Sequence, residues 1–269
     1  MMETNFMQQS QQSGHLVDLS HTIESGLITY KGLPAPIICD YLSREDSRQQ
    51  YAVGTEFQIG KLELVGNTGT YIDCPFHRYA NGKDISEVDL TAFAELEGIV
   101  VRVPFAESLA ITPEHFKNKD LRHRAVLVHT GWACHWNTEA YYEHHPYLTE
   151  EAANFLKDAG VKLVGIDSHN IDNTAKNSRP VHSILLGSEI LVVEHLCGLE
   201  NLPEEGFHFN AIPPKIKGMG TFPVRAFAKV FSWLRIQNAI YWAQKPFKKS
   251  MKSKEWKPFW AHDGLWDVA

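Results

Sequence analysis

The hydrophobic positions of the chain fall into short apolar runs that are rich in β-branched residues and separated by polar segments. Such runs are typical of strands buried in a sheet. The predicted strands span residues 57–65, 98–103, 125–129, 161–166 and 190–193. Residues 149–159 instead predict a helix, because Thr149 can cap its start and Gly160 can end it. This pattern predicts an α/β fold, a single domain with a mixed β core and flanking helices.

Composition and charge narrow the class of protein. The 269 residues are 43% hydrophobic and carry a net charge of −6, which argues against nucleic-acid binding. No apolar run approaches the roughly 18 residues that a membrane span needs. Residues 1–13 are polar and Gln-rich, and we expect a disordered lead-in. The four cysteines have no zinc-site spacing, so free thiols and a cytoplasmic location are expected.

The C-terminal residues 231–269 differ from the rest of the chain. They hold five of the seven Trp, and seven Lys or Arg against three Asp or Glu. Residues 231–244 could form an amphipathic helix that Pro246 would end. One interpretation is an extension that packs its aromatic side chains on the body or on another subunit. The other is a basic, aromatic surface for an acidic partner or a membrane face.

Two segments carry candidate chemistry. In residues 67–77, Asn-Thr-Gly-Thr-Tyr-Ile-Asp-Cys-Pro-Phe-His, Asp73 and His77 could hold a divalent metal or activate water. A surface loop with a capping Asp and an ordinary His would contain the same residues. Farther along, Glu194 directly follows an apolar strand, where a carboxylate is costly to bury without a cation or hydrogen bonds. His182 lies twelve residues before it and could converge with it, although the strand could also end with Glu194 in solvent.

Residues 67–77 resemble the signature of the cyclase family of metal-dependent hydrolases, which includes kynurenine formamidases and isatin hydrolases. That signature reads His-x-Gly-Thr-His-x-Asp-x-Pro-x-His. Its Gly, Thr, Asp, Pro and last His are matched in register, whereas Asn67 and Tyr71 stand at the first two His positions. Segments from residue 17 to about residue 230 also look familial, so the resemblance implies the swivelling β/β/α-like fold and a homodimer or larger assembly.

The resemblance also implies roles for individual residues. Asp73, His182 and Glu194 match metal ligands, and His77 matches a general base or proton shuttle. Asn67 and Tyr71 are poor replacements for imidazole ligands, so we expect one divalent ion, zinc or manganese, where the family holds two. In that case Tyr71 could donate a hydrogen bond to the developing oxyanion.

The remaining candidates are contacts to a small-molecule substrate. They are Asn67, Thr70 and His169, which follows the strand at 161–166. By contrast, His144 and His145 lie beside Pro146 in a polar loop and are interpreted as a solvated surface pair.

These residues together predict a metal-dependent hydrolase of an amide-type bond in a small cyclic or N-formyl substrate, similar to an arylformamidase. Two alternatives stay open at this point. The protein could have kept the fold and lost the reaction, with Asn67, Tyr71 and His77 hydrogen-bonding a small ligand. It could also hydrolyse its substrate without a metal, with His77 as the base.

Overall fold

The computed structural model describes residues 14–231, and the predicted lead-in and residues 232–269 of the predicted extension lie outside this range. The strands are β1 Gly14–Asp18, β2 Ile37–Leu42, β3 Ile59–Glu63, β4 Tyr71–Asp73, β5 Leu96–Arg102, β6 Ala110–Ile111, β7 Ala125–His129, β8 Tyr147–Leu148, β9 Leu163–Ile166, β10 Leu191–Glu194, β11 Phe207–Asn210, β12 Thr221–Pro223 and β13 Phe227–Phe231. The helices are α1 Arg44–Gln50, α2 Glu150–Asp158 and α3 Pro180–Gly187.

Nine of these strands form one mixed sheet in the order β1-β13-β11-β5-β7-β9-β10-β4-β12. The four neighbouring strands β5, β7, β9 and β10 run parallel to one another. On one side of this group β11 pairs antiparallel with β5, and on the other side β4 pairs antiparallel with β10 and with β12. The predicted mixed β core is therefore confirmed. Each predicted strand has a counterpart, from β3 within residues 57–65 to β10 at residues 191–194.

The helix predicted from residue 149 is confirmed as α2, and the Thr149 side chain accepts a hydrogen bond from the Ala152 N–H. The sequence pattern missed α1 and α3, which have seven and eight residues, too few to show a helical period. Within residues 14–231, no helix is long and apolar enough to cross a membrane. The cytoplasmic location and the homo-oligomeric assembly stay predictions.

The parallel strands are buried on both faces, which explains their unbroken apolar runs. In β5, Ile99 and Val101 pack with α2 and α3 on one face, whereas Val100 points into a second core on the other. The second core is closed by aromatic side chains such as Phe207 and Phe209 from β11. The helices α2 and α3 thus cover one face of the sheet.

The antiparallel group of β10, β4 and β12 places four polar side chains on one face. Glu194 pairs with Tyr71 across β10 and β4, and Thr221 pairs with Asp73 across β12 and β4. Because side chains two residues apart on a strand share a face, Tyr71 and Asp73 point the same way, and their cross-strand partners lie beside them. The register of three short strands therefore assembles the centre of the site.

Candidate metal and catalytic site

Asp73 is the buried carboxylate at the centre of the site, with no exposed surface. Its Oδ1 accepts a hydrogen bond of 2.6 Å from the Thr221 hydroxyl. Its Oδ2 is buried and has no hydrogen-bond partner within residues 14–231. Leaving a buried carboxylate oxygen without a donor is costly, so Oδ2 is suited to binding a cation.

His182 reaches Asp73 from the first turn of α3. The Asp172 carboxylate accepts hydrogen bonds from two backbone N–H groups of that turn and from His182 Nδ1, the last at 2.6 Å. This leaves His182 Nε2 facing Asp73 Oδ2 and Glu194 Oε1, each 3.6 Å away. A carboxylate on the far ring nitrogen is the usual support of a metal-binding histidine.

His182 is also the positive partner of this acidic group when no other cation is bound. Burial opposes its charged form, but the hydrogen bond to Asp172 and the nearby negative charges of Asp73 and Glu194 outweigh burial and raise its pKa to about 10. A proton and a metal ion therefore compete for the same nitrogen.

His77 lies on the partly exposed side of the same group. Its Nδ1 is 2.7 Å from the Thr221 hydroxyl oxygen, and that hydroxyl donates its proton to Asp73. Because a hydroxyl has only one proton to give, His77 Nδ1 must be the donor in the first bond. The lone pair of the neutral ring then lies on Nε2, the form that a general base needs.

Glu194 is fully buried, and both of its oxygens have donors. Oε2 accepts from the Tyr71 hydroxyl and, at 3.1 Å, from the Tyr30 hydroxyl. Oε1 accepts from the Ile171 N–H at 2.6 Å. Burial raises the pKa of Glu194 and, together with the charge of Glu194, raises the pKa of Tyr71 well above its ordinary value. Tyr71 therefore remains a protonated phenol, and its proton is held by Glu194.

A cavity of about 750 Å³ opens over these residues. Among the predicted site residues, Asn67, Tyr71, His77 and His182 line it. The other lining residues are Tyr30, Leu33, Arg78, Asn170, Asn177, Ser178, Arg179, Pro180 and Ser183. This volume suits a small organic molecule with one or two rings.

Two predicted substrate contacts lie behind the cavity wall. The Thr70 hydroxyl donates to the His195 carbonyl and accepts from the His21 N–H, so it joins two backbone segments. The His169 side chain is buried against the Tyr30 ring, and the His169 carbonyl oxygen lies 2.8 Å from the Tyr30 hydroxyl oxygen. Neither Thr70 nor His169 is among the residues that line the cavity.

The interpretation of His144 and His145 as a solvated pair is wrong for His145. That side chain is 3% exposed. Its Nδ1 donates to the Pro146 carbonyl, and its Nε2 is 2.8 Å from the Thr174 hydroxyl. Both ring nitrogens thus have protein partners. Because these partners replace water, the His145 side chain can be buried although its loop consists mostly of polar residues.

His169 is expected to make the protein less stable in acid. Burial, with a smaller contribution from the nearby His145, lowers the pKa of His169 to about 3. The unfolded chain, with a pKa near 6.5, then binds a proton that the folded chain does not. Stability should fall as the pH drops below about 6.5, by up to about 1.4 kcal/mol per pH unit for this proton, until about pH 3.

The measurement is urea unfolding between pH 7.5 and 4.5, compared between the protein and its His169→Gln variant. His145, His195, Tyr30 and Tyr141 face the ring and are unchanged in the variant. The difference between the two slopes therefore isolates the contribution of His169. Equal slopes would show that His169 titrates normally.

A family model described as "Putative cyclase" matches residues 17–173, more than half of the chain. The chain belongs to the cyclase family. This confirms the relationship that residues 67–77 indicate, and the α/β fold agrees with it.

Similar proteins extend this finding. The kynurenine formamidase of Geobacillus thermodenitrificans is 28% identical over 67% of this chain and 84% of its own length. Isatin hydrolase A from Labrenzia aggregata, solved with benzyl benzoate bound, superposes with a TM-score of 0.71 at 23% identity over 81% of this chain and 94% of its own. A structure described as a potential metal-dependent hydrolase with cyclase activity has a TM-score of 0.66 at 21% identity, over 81% of this chain and 98% of its own. The first two of these proteins are named as a formamidase and a hydrolase, and the third as a potential hydrolase.

The residues of this cyclase-family protein fit one metal ion. Asp73, His77 and His182 can each direct a ligand atom to within 4.8 Å of the others. Among the described residues Asp73 Oδ2 has no donor, and Asp172 orients the His182 ring for coordination. Glu194 also borders the group, but its oxygens are occupied by hydrogen bonds from Tyr71, Tyr30 and Ile171.

Sequence reasoning missed three residues of this site: Tyr30, Asp172 and Thr221. Each contacts a predicted site residue that is distant in the chain or on another element, as Thr221 contacts Asp73 from 148 positions away. Asp172 gave no sequence signal for its role, because it lies far before Pro180 and the N-cap position of α3 is occupied by Arg179.

Proposed function

We propose that this protein is a metal-dependent hydrolase of an amide-type bond in a small cyclic or N-formyl substrate, similar to an arylformamidase. The observation that carries the proposal is the Oδ2 of buried Asp73, which no group within the described part of the chain donates to, beside an imidazole, His182, that Asp172 orients. His182 lines a cavity large enough for a small aromatic amide, and Asp73 Oδ2 lies 3.6 Å behind its Nε2. The hydrolase names of the relatives support the reaction class.

One zinc or manganese ion would be held by Asp73 and His182, with Glu194 as the third ligand that the sequence predicts. One imidazole and two carboxylates suit either ion. When bound, the ion supplies Lewis acidity to a carbonyl oxygen and acidifies water. Glu194 would have to exchange one of its present hydrogen bonds to join, whereas Asp73 Oδ2 has no donor to give up among residues 14–231.

His77 is the proposed base. Thr221 fixes its Nδ1 as a donor, so Nε2 can take the proton of the attacking water. The water oxygen bonds to the amide carbon, the C–N bond breaks, and His77 returns the proton to the leaving nitrogen. The chain of hydrogen bonds from His77 through Thr221 to Asp73 stabilises the positive charge that the ring acquires.

Asn67 and Tyr71 are the proposed polar contacts of the substrate in the cavity. The Asn67 amide can donate to or accept from the substrate. The Tyr71 proton is held by Glu194, so donation to an oxyanion requires that bond to open. Thr70 and His169, which the sequence predicts as substrate contacts, would influence the substrate only through the residues that line the cavity.

A second candidate function is binding of a small molecule without turnover. The Tyr71–Glu194 hydrogen bond favours it, because a phenol occupies a place where the family signature has an imidazole and satisfies a carboxylate that could otherwise bind metal. In that case the cavity would bind an aromatic ligand in the metal-free protein.

The test combines metal content with turnover. Protein purified without chelator should contain about one equivalent of zinc or manganese and should hydrolyse members of a panel of N-formyl aromatic amines and cyclic imides. Removal of the metal should abolish turnover, and adding it back should restore it. Tight binding of panel members without metal and without hydrolysis would show that the second function is correct.

A further inference from the structure

Two arginines, Arg78 and Arg179, line the same cavity as His77 and His182. No Asp or Glu is among the residues that line it. The polar part of the lining is otherwise neutral, apart from the histidines, and consists of amides and hydroxyls such as Asn67 and Ser183. The cavity wall is therefore basic.

A serine joins the two arginines. Arg78 Nε donates to the Ser183 hydroxyl oxygen at 3.0 Å, and that hydroxyl donates to the Arg179 carbonyl at 2.8 Å. This bond positions the Arg78 guanidinium, and neither of its terminal amino groups has a hydrogen-bond partner in the part of the chain that the structure describes. Arg179 uses one terminal amino group, which donates to the carbonyls of Lys176 and Ser178. Each guanidinium thus keeps donors that an anion could accept.

Neither guanidinium forms an ion pair within residues 14–231, whereas Arg48, Arg124 and Arg225 do. Of the carboxylates beneath the cavity, Asp172 is engaged by the start of α3 and Glu194 by two phenols and a backbone N–H, while Asp73 Oδ2 faces His182 Nε2 at 3.6 Å. Two unpaired guanidinium groups beside a concave site create a positive potential that favours an anionic ligand. Arg also matches a carboxylate in planar, two-point geometry.

We propose that Arg78 and Arg179 recognise a carboxylate on the molecule that occupies this cavity. The arginines determine specificity and lie apart from the residues that carry the reaction. Where the proposal names a substrate class, it rests on the amide-hydrolase function: the substrate is an aromatic amide that also carries an anionic group. The anion would lie against the wall formed by the start of α3, with the amide toward His77.

The test uses calorimetric titration with a matched pair of probes, 2-aminobenzoate and its neutral analogue 2-aminobenzamide. The protein should bind the anion at least about 10-fold more tightly than the amide, and added salt should weaken the binding of the anion but not that of the amide. Arg78→Gln and Arg179→Gln should each weaken anion binding about 10- to 100-fold, since each removes a charged hydrogen-bond donor. The affinity for the neutral amide should stay unchanged. Because a carboxylate can also bind a metal, the titrations are run on metal-loaded and on chelator-treated protein.

Arg122→Gln is the matched control, because Arg122 is exposed and does not line the cavity. Arg78→Lys and Arg179→Lys should retain part of the preference, as the charge remains and the fork geometry is lost. Equal binding of the two probes, or anion binding by both Gln variants at the affinity of the unaltered protein, would overturn the proposal.

The same titrations separate this proposal from the function on which it rests. Hydrolysis of neutral amides with no preference for the anion would disprove the arginine site and would still support the hydrolase function. A strong, arginine-dependent preference for the anion, with no hydrolysis of any amide by the metal-loaded protein, would support the arginine site and disprove the hydrolase function.

Discussion

Asp73→Asn is expected to lose the bound metal and the hydrolytic activity together. The amide has the shape of the carboxylate and can still accept a hydrogen bond from Thr221, but it removes the charge from Oδ2, a buried oxygen that has no donor within residues 14–231. Changing even an outer partner of a metal ligand costs about 10- to 100-fold in affinity or activity, so the loss at a direct ligand should exceed about 100-fold. Metal equivalents and kcat/KM measured on the same preparation check this.

Asp158→Asn serves as the control for Asp73→Asn. Asp158 is exposed at the end of α2, where its carboxylate is 3.7 Å from Lys157. It should change neither metal content nor activity. An Asp73→Asn protein that retained one equivalent of metal and full turnover would exclude Asp73 as a ligand and with it the proposed site.

Glu194→Ala is expected to destabilise the fold by about 3 kcal/mol. Truncation leaves the Ile171 N–H buried without its acceptor and removes the common partner of the Tyr71 and Tyr30 hydroxyls. It also leaves His182 with one negative neighbour fewer. Each unsatisfied buried group costs about 1–3 kcal/mol, and breaking a buried charged network costs about 3–5 kcal/mol.

Urea unfolding of the metal-free protein measures this loss without a contribution from metal binding. The matched control is Glu107→Ala, because Glu107 is exposed and a surface change of this kind should stay within about 0.5 kcal/mol. A Glu194→Ala protein as stable as the control would mean that the carboxylate is protonated or solvated in the folded state.

The strands of the central sheet could be predicted because burial on both faces leaves an unbroken apolar run in the sequence. Ala125–His129 is the clearest case, since its predicted and observed bounds coincide. The helix α3 could not be predicted in the same way. Its eight residues begin at a proline and are fixed by the Asp172 carboxylate, a contact that no periodicity records.

The site was predictable to the extent that its residues belong to the signature or follow a strand. The family resemblance implies that Asp73, His182 and Glu194 converge, and the structure places an oxygen of each carboxylate 3.6 Å from His182 Nε2. The bond between Tyr71 and Glu194 could not be foreseen, because it depends on the register between β4 and β10. The place of Tyr30 in the site could not be predicted either, because it lies in a loop 41 positions before Tyr71.

The register of β10, β4 and β12 has an evolutionary consequence. Position 71 is fixed opposite Glu194 by backbone pairing, so an exchange of its side chain changes the chemistry offered there without moving the position. A phenol in place of an imidazole converts a potential ligand into a hydrogen-bond donor, and the strands are unaffected. The number of ions that such a sheet can hold is thus open to change by single substitutions, and one scaffold can support members of a family that differ in metal stoichiometry.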